Sequence, residues 1–148
     1  MNNPGSSEGD LTQRHIDTRD IGPIPVETER VASQIVDAAY HLHRRLGPGL
    51  MENVYETCFA HELAKRSLSF KRQVVLPLLY DGIRLESGLR LDLLVDERVV
   101  VELKSIENLL ALHKMQLLTY LKLSGYRLGL LVNFNVPTIK EGIVRVVL

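Results

Sequence analysis

The feature that most constrains this chain is a change of period. Between residues 73 and 105 the helical spacing of the preceding segment gives way to short apolar runs broken by tight turns. Residues 73–80 read as a strand, with Pro77 marking an edge or a bulge. Asp81-Gly82 is a hairpin signal, and residues 83–95 form a second strand, bent near Ser87-Gly88. Asp96-Glu97-Arg98 is another tight turn, and residues 99–105 are a third strand. Strands joined by such short turns run antiparallel. Residues 109–124 then return to a helical pattern ended by Gly125, and residues 127–134 are apolar enough for a central strand. A strand reached through a helix is expected parallel to the one before it. Residues 143–148 add a fifth, short strand.

Two helices precede this sheet. Val31, Ile35, Ala38, Ala39, Leu42 and Leu46 recur at helical spacing until Gly47-Pro48-Gly49 stops them. A second helix spans residues 51–67, with Lys65-Arg66 suited to its C-terminal turn. Residues 1–26 are polar and read as a mobile tail, which leaves residues 27–148 as a single domain of order α-α-β-β-β-α-β. The lone Cys58 excludes an internal disulfide and a thiolate zinc cluster, reads as a small core residue, and fits a reducing cytoplasm. No apolar run approaches the roughly 18 to 20 residues of a membrane span. The net charge is zero, so the molecule as a whole does not advertise nucleic-acid binding. Its basic doublets, Arg44-Arg45, Lys65-Arg66 and Lys71-Arg72, could flank a phosphate groove but read more simply as solvated surface.

The third strand carries two ionisable residues, Glu102 and Lys104, in a run that otherwise looks buried. Positions two apart share a face of a strand, so both emerge on the side of Val100. Such charges are costly inside a protein unless paired, hydrogen-bonded or metal-bound. An isolated Glu-x-Lys is more often a solvated ion pair on an edge strand. Asp92, in the preceding strand, changes the odds. Antiparallel pairing should place it one or two residues past the level of Lys104, close to Glu102. Two converging carboxylates repel, and a hard cation such as Mg²⁺ would relieve that repulsion through oxygen ligands. Lys104 would hold or activate a water and stabilise charge on a phosphate. On the third helix, His113, Gln116 and Tyr120 share one face and should point inward among leucines, unless they merely lie at a helix margin. Glu52 and Tyr55 are neighbours at the start of the second helix. Glu52 is either favourable charge at a helix N-terminus or a third carboxylate for the metal.

Gly49-x-x-Glu52-x-x-Tyr55 resembles the signature of the GxxExxY proteins. Arg90-x-Asp92, Val101-Glu102-Leu103-Lys104, His113-x-x-Gln116-x-x-x-Tyr120 and Gly129-Leu130-Leu131-Val132-Asn133-Phe134 follow in the order of that family, from about Val31 to Leu148. The family belongs to the PD-(D/E)XK nuclease superfamily, whose α-β-β-β-α-β core agrees with the order read above. Leu91 stands where the superfamily often has a proline before its first aspartate. The resemblance implies an α/β fold with a mixed four- to five-stranded sheet flanked by helices. It implies Asp92, Glu102 and Glu52 as ligands of Mg²⁺ or Mn²⁺, Lys104 as the catalytic lysine, and Gln116, Tyr120, His113, Tyr55 and Arg90 in support. The implied activity is hydrolysis of phosphodiester bonds in DNA or RNA. The alternatives are a catalytically silent module of the same fold that binds nucleic acid or a protein, and a structural homodimer formed through an apolar helix face.

Overall fold

The computed structural model describes residues 22–148; most of the expected tail, residues 1–21, lies outside the described residues. Helix α1 (Val26–Leu46) opens directly after Pro25, with Glu27 and Glu29 in the first turn and His43, Arg44 and Arg45 in the last, the polarity that the helix dipole favours. It begins earlier than the apolar spacing alone suggests, because its first turn is polar and partly exposed. Gly47, at φ 68°, ends it, and the Gly47 N–H returns to the His43 carbonyl at 2.7 Å. Helix α2 (Glu52–Lys65) follows at once. Strands β1 (Phe70–Tyr80), β2 (Ile83–Val95) and β3 (Val99–Lys104) form the expected antiparallel meander. Both turns are built from residues at positive φ: Asp81 and Gly82 in one, Asp96 and Glu97 in the other. Helix α3 (Ala111–Ser124) closes with Gly125 in the left-handed region. It leads to β4 (Leu128–Asn133), a 3₁₀ turn (Ile139–Gly142) and β5 (Ile143–Val147).

The five strands lie in chain order across one sheet, with β4 parallel to β3 and antiparallel to β5. Pro77 satisfies both halves of its sequence reading: β1 is an edge strand, and its register shifts between Leu76 and Leu78. β1 also starts three residues earlier than its apolar run, because Phe70, Lys71 and Arg72 pair with Val95, Leu94 and Leu93 although the two basic residues are exposed.

Two apolar layers sandwich the sheet. On one side Val31, Ile35, Ala38, Ala39 and Leu42 of α1 and Tyr55, Phe59 and Leu63 of α2 pack on Leu93, Val95, Val99, Val101 and Leu103. On the other, Leu117 and Leu121 of α3 cover Leu91, Leu94, Val100 and Leu131. Gly129 permits this second contact: a Cβ there would lie 2.9 Å from Leu117 Cδ1. Cys58 is half-buried against the first layer, as its sequence reading expects. Among the described residues no helix is long and apolar enough to cross a membrane.

Candidate active site

The β2–β3 ladder runs from Val95 with Val99 through Leu94 with Val100 to Leu93 with Val101, and there it stops. The next rung would join Asp92 to Glu102. Their side chains enter the gap instead. The Asp92 N–H donates to Glu102 Oε1 at 3.1 Å, and the Leu103 N–H donates to Asp92 Oδ2 at 2.9 Å. Two carboxylates thus stand in for ladder carbonyls where the strands part. β3 meanwhile stays paired to β4 as far as Lys104 with Asn133. The register puts Asp92 level with Glu102, and not past Lys104 as the turn residues alone suggest. The turn is tight enough for Val95 to pair Val99 directly.

This placement has an electrostatic consequence. Burial, reinforced by the Asp92 carboxylate within hydrogen-bonding reach, pushes Glu102 up from 4.5 to about 8, against the pull of Lys104. Glu52 stands at the first position of α2. Partial burial, with the Asp92 and Glu56 carboxylates adding to it, lifts its carboxyl above the usual range, again opposed by Lys104. The four groups therefore share one electrostatic neighbourhood. A cleft of about 310 Å³ opens there, lined by Met51, Glu52, Asn53 and Glu56 on one wall and Gln73, Asp92 and Leu103 on the other.

The Gly-x-x-Glu-x-x-Tyr segment is held in place by its tyrosine. Tyr55 is fully buried, and its ring stacks on Phe134 at 4.5 Å. Its hydroxyl donates to the Gly47 carbonyl at 2.6 Å and accepts from the Leu50 N–H at 3.2 Å. Ser105 Oγ donates to the Leu50 carbonyl at 2.6 Å and ties the same loop to the end of β3. Gly49, at φ 101°, supplies the backbone this loop requires. Tyr55 thus secures the loop that presents Glu52 and does not face the cleft. Asn133, fully buried, binds the other side of the β3 exit: Oδ1 accepts from the Ile106 and Asn135 N–H groups, and Nδ2 donates to the Ile106 carbonyl.

Of the two readings of the polar residues of α3, the structure shows the helix margin. Gln116 is exposed, and its Nε2 donates to the Tyr120 hydroxyl at 3.2 Å. His113 Nδ1 accepts the Leu110 N–H at 2.9 Å and so caps its own helix, which is why α3 begins at Ala111 rather than Leu109. The reason is rotation. Leu117 and Leu121 take the sheet contact, which turns Gln116 to the side and leaves Tyr120 half-buried at the margin. Arg90 is exposed on β2 opposite Val75 and lies off the cleft lining. Two residues of the cleft escape the sequence reading. Glu56 lies one turn beyond Glu52, a spacing that was visible. Gln73 has no sequence signal, because its position depends on a backbone angle.

Two of the three basic doublets are engaged by acids, while Arg44 and Arg45 are exposed. Arg66 pairs Asp37 and Glu62, Arg72 pairs Glu56, and Lys71 pairs Glu97. The surface reading of these three positions stands.

A family model of the PD-(D/E)XK nuclease superfamily matches residues 29–146. The chain belongs to that superfamily, in agreement with the three helices and five-stranded mixed sheet of the described residues. No curated protein and no solved structure gives a significant match. The superfamily implies a divalent cation, and the donor chemistry here suits one. Asp92 and Glu102 offer hard oxygen ligands; burial, and then the neighbouring Asp92 carboxylate, favours the protonated form of Glu102, which a bound cation would reverse. Among the described residues, no three His, Cys, Asp or Glu side chains are already gathered as a cation cage. Glu52 remains on the rim and is exposed, so the expected trio of metal-binding acids is a half-buried pair with a third acid on the wall of the same cleft.

Proposed function

We propose that the protein is a divalent-metal-dependent nuclease that hydrolyses phosphodiester bonds of DNA or RNA. The observation that carries this reading is the Asp92–Glu102 pair, placed where β2 and β3 separate, with Asp92 lining a cleft that Glu52 also lines. Asp92 and Glu102 would hold Mg²⁺ or Mn²⁺, with Glu52 contributing from the opposite wall. When bound, the ion supplies positive charge beside the scissile phosphate. Lys104 orients the attacking water and stabilises the negative charge that builds on the phosphoryl oxygens. Membership of the superfamily supports the nuclease class. The narrower GxxExxY grouping rests on Gly49, Glu52 and Tyr55 and the motifs that follow them. A cytoplasmic setting fits the single half-buried cysteine.

A silent module that binds nucleic acid or a protein is the second reading. Its support is the engagement of Arg66, Lys71 and Arg72 in ion pairs, which leaves them little to track a phosphate backbone and, within this reading, favours a protein partner over nucleic acid. A purely structural homodimer leaves the half-buried carboxyl pair without a role.

The test is cleavage of mixed single- and double-stranded DNA and RNA with Mg²⁺ or Mn²⁺. Lys104→Ala and Asp92→Ala should each lower the rate by about 100-fold or more. Activity equal to the unaltered protein in both variants would mark a contaminant and overturn the assignment. Binding without turnover, falling steeply with salt, would support the silent module instead.

A further inference from the structure

Both strands that flank the cleft change faces at one level. In β1, Phe70 packs with the α1–α2 layer and Arg72 reaches Glu56 and Thr57 of α2, whereas Val74 and Leu76 pack with the α3 layer. In β2, Val95 and Leu93 belong to the α1–α2 layer, whereas Leu91 belongs to the α3 layer. Residues two apart on a strand ordinarily share a face. The rule fails here between Arg72 and Val74 and between Leu93 and Leu91. The register pairs Arg72 with Leu93 and Val74 with Leu91. Gln73 and Asp92 are thus opposite one another at the switch, and they are missing from the ladder. Gln73 has φ 50°, a left-handed backbone that a residue with a Cβ seldom adopts.

We propose that Gln73 is a positioning residue for the carboxylates of the candidate metal site, an inference that rests on the nuclease reading above. The Gln73 kink turns Asp92 out of the ladder toward Glu102 and Leu103. The Gln73 amide then anchors that kink to α2. Its Nε2 donates to Glu56 Oε1 at 2.5 Å, while Arg72 donates to Glu56 Oε2 at 3.0 Å. Both oxygens of the nearly buried Glu56 are therefore engaged by β1. Glu56 lies one helical turn from Glu52, so this clamp sets the helix that carries Glu52 against the strand that carries Asp92. Glu52, Glu56, Gln73 and Asp92 all line the same cleft. The backbone at residue 73 suits glycine; what glutamine adds is the amide.

That distinction supplies the experiment. Gln73→Gly keeps the kink and removes the clamp. Gln73→Glu sets a second carboxylate against Glu56. The double variant Gln73→Glu/Glu56→Gln restores a hydrogen bond with its direction reversed. Three readouts are taken: amide hydrogen exchange of Leu103, whose N–H is held by Asp92; Mn²⁺ affinity of the free protein; and kcat and KM for cleavage. For Gln73→Gly, Leu103 exchange should quicken and Mn²⁺ affinity and kcat should each fall by about 10-fold, the usual effect of losing an outer support. KM should move little, the amides of Val99, Val100 and Val101 should keep their protection, and the melting temperature should not drop. Gln73→Glu should be worse, and the double variant should recover. Unchanged Leu103 exchange and Mn²⁺ affinity in Gln73→Gly would overturn the proposal. So would uniform loosening of all β3 amides, which marks a merely structural role. A wild-type protein that cleaves nothing would refute the nuclease reading, and the exchange and Mn²⁺ measurements would still decide this one.

Discussion

Glu102→Gln is the perturbation that most directly probes the carboxyl pair. The amide keeps the shape of the side chain, and its oxygen can still accept the Asp92 N–H. What it removes is a titration. In the folded protein Glu102 holds its proton up to about 8, against 4.5 ordinarily, because of burial first and the Asp92 carboxylate second. The folded state therefore binds a proton that the unfolded state releases between those values. The stability from this group is fully present below about 4.5 and is lost as pH rises through about 8. At about 1.4 kcal/mol per unit, the loss across that window is about 3 to 5 kcal/mol. For a domain of this size that is roughly 10 °C in melting temperature.

Melting curves in a chelator at pH 5, 7 and 9 read the effect. The wild-type protein should lose more stability over that range than Glu102→Gln, which should become the more stable of the two at pH 9. Groups common to both proteins cancel in the difference. Adding Mg²⁺ at pH 9, where Glu102 is ionised, should restore the wild-type protein by offsetting the repulsion of the paired carboxylates and binding only the folded form, and should do far less for the variant. Parallel pH curves for the two proteins would refute the argument, because they would mean that Glu102 titrates as it does in the unfolded chain.

Tyr55→Phe keeps the stack on Phe134 and removes two hydrogen bonds to the Gly47–Leu50 loop; it should cost about 1 to 2 kcal/mol in urea unfolding. Because that loop presents Glu52, cleavage should fall as well; full activity would show that the loop holds its place without the hydroxyl. Asn133→Ala leaves both backbone groups of Ile106 and the Asn135 N–H without their partner and should cost about 3 kcal/mol by the same measurement. Gly129→Ala drives a Cβ to 2.9 Å from Leu117 Cδ1 and should cost about 1 to 3 kcal/mol. Leu117→Val should relieve part of that cost in a double-mutant cycle, and strictly additive effects would locate the strain elsewhere.

The order and direction of the elements could be read along the chain because their causes are local. A two-residue Asp-Gly turn dictates a hairpin wherever it occurs, and a helix between two strands dictates a crossover. Glu102 and Lys104 share a side of β3 for an equally local reason, the two-residue repeat. The register at Asp92 was not readable in this way, because it depends on how tightly Asp96-Glu97-Arg98 closes. Nor was the exposure of Gln116, which follows from Leu117 and Leu121 claiming the sheet. Tyr55 was legible only as a residue in support of Glu52; that it ties down the loop before Glu52 needs the arrival of Phe134, which shows what its ring packs on. Gln73 carried no signal at all. Its left-handed backbone is unfavourable in isolation, and its amide meets Glu56, a residue of another element. Periodicity and turn chemistry thus specified which strands exist and how they run. Side-chain partners in the cleft were decided by surfaces that meet only after the chain has folded, because the free energy of burying and pairing them belongs to both surfaces together.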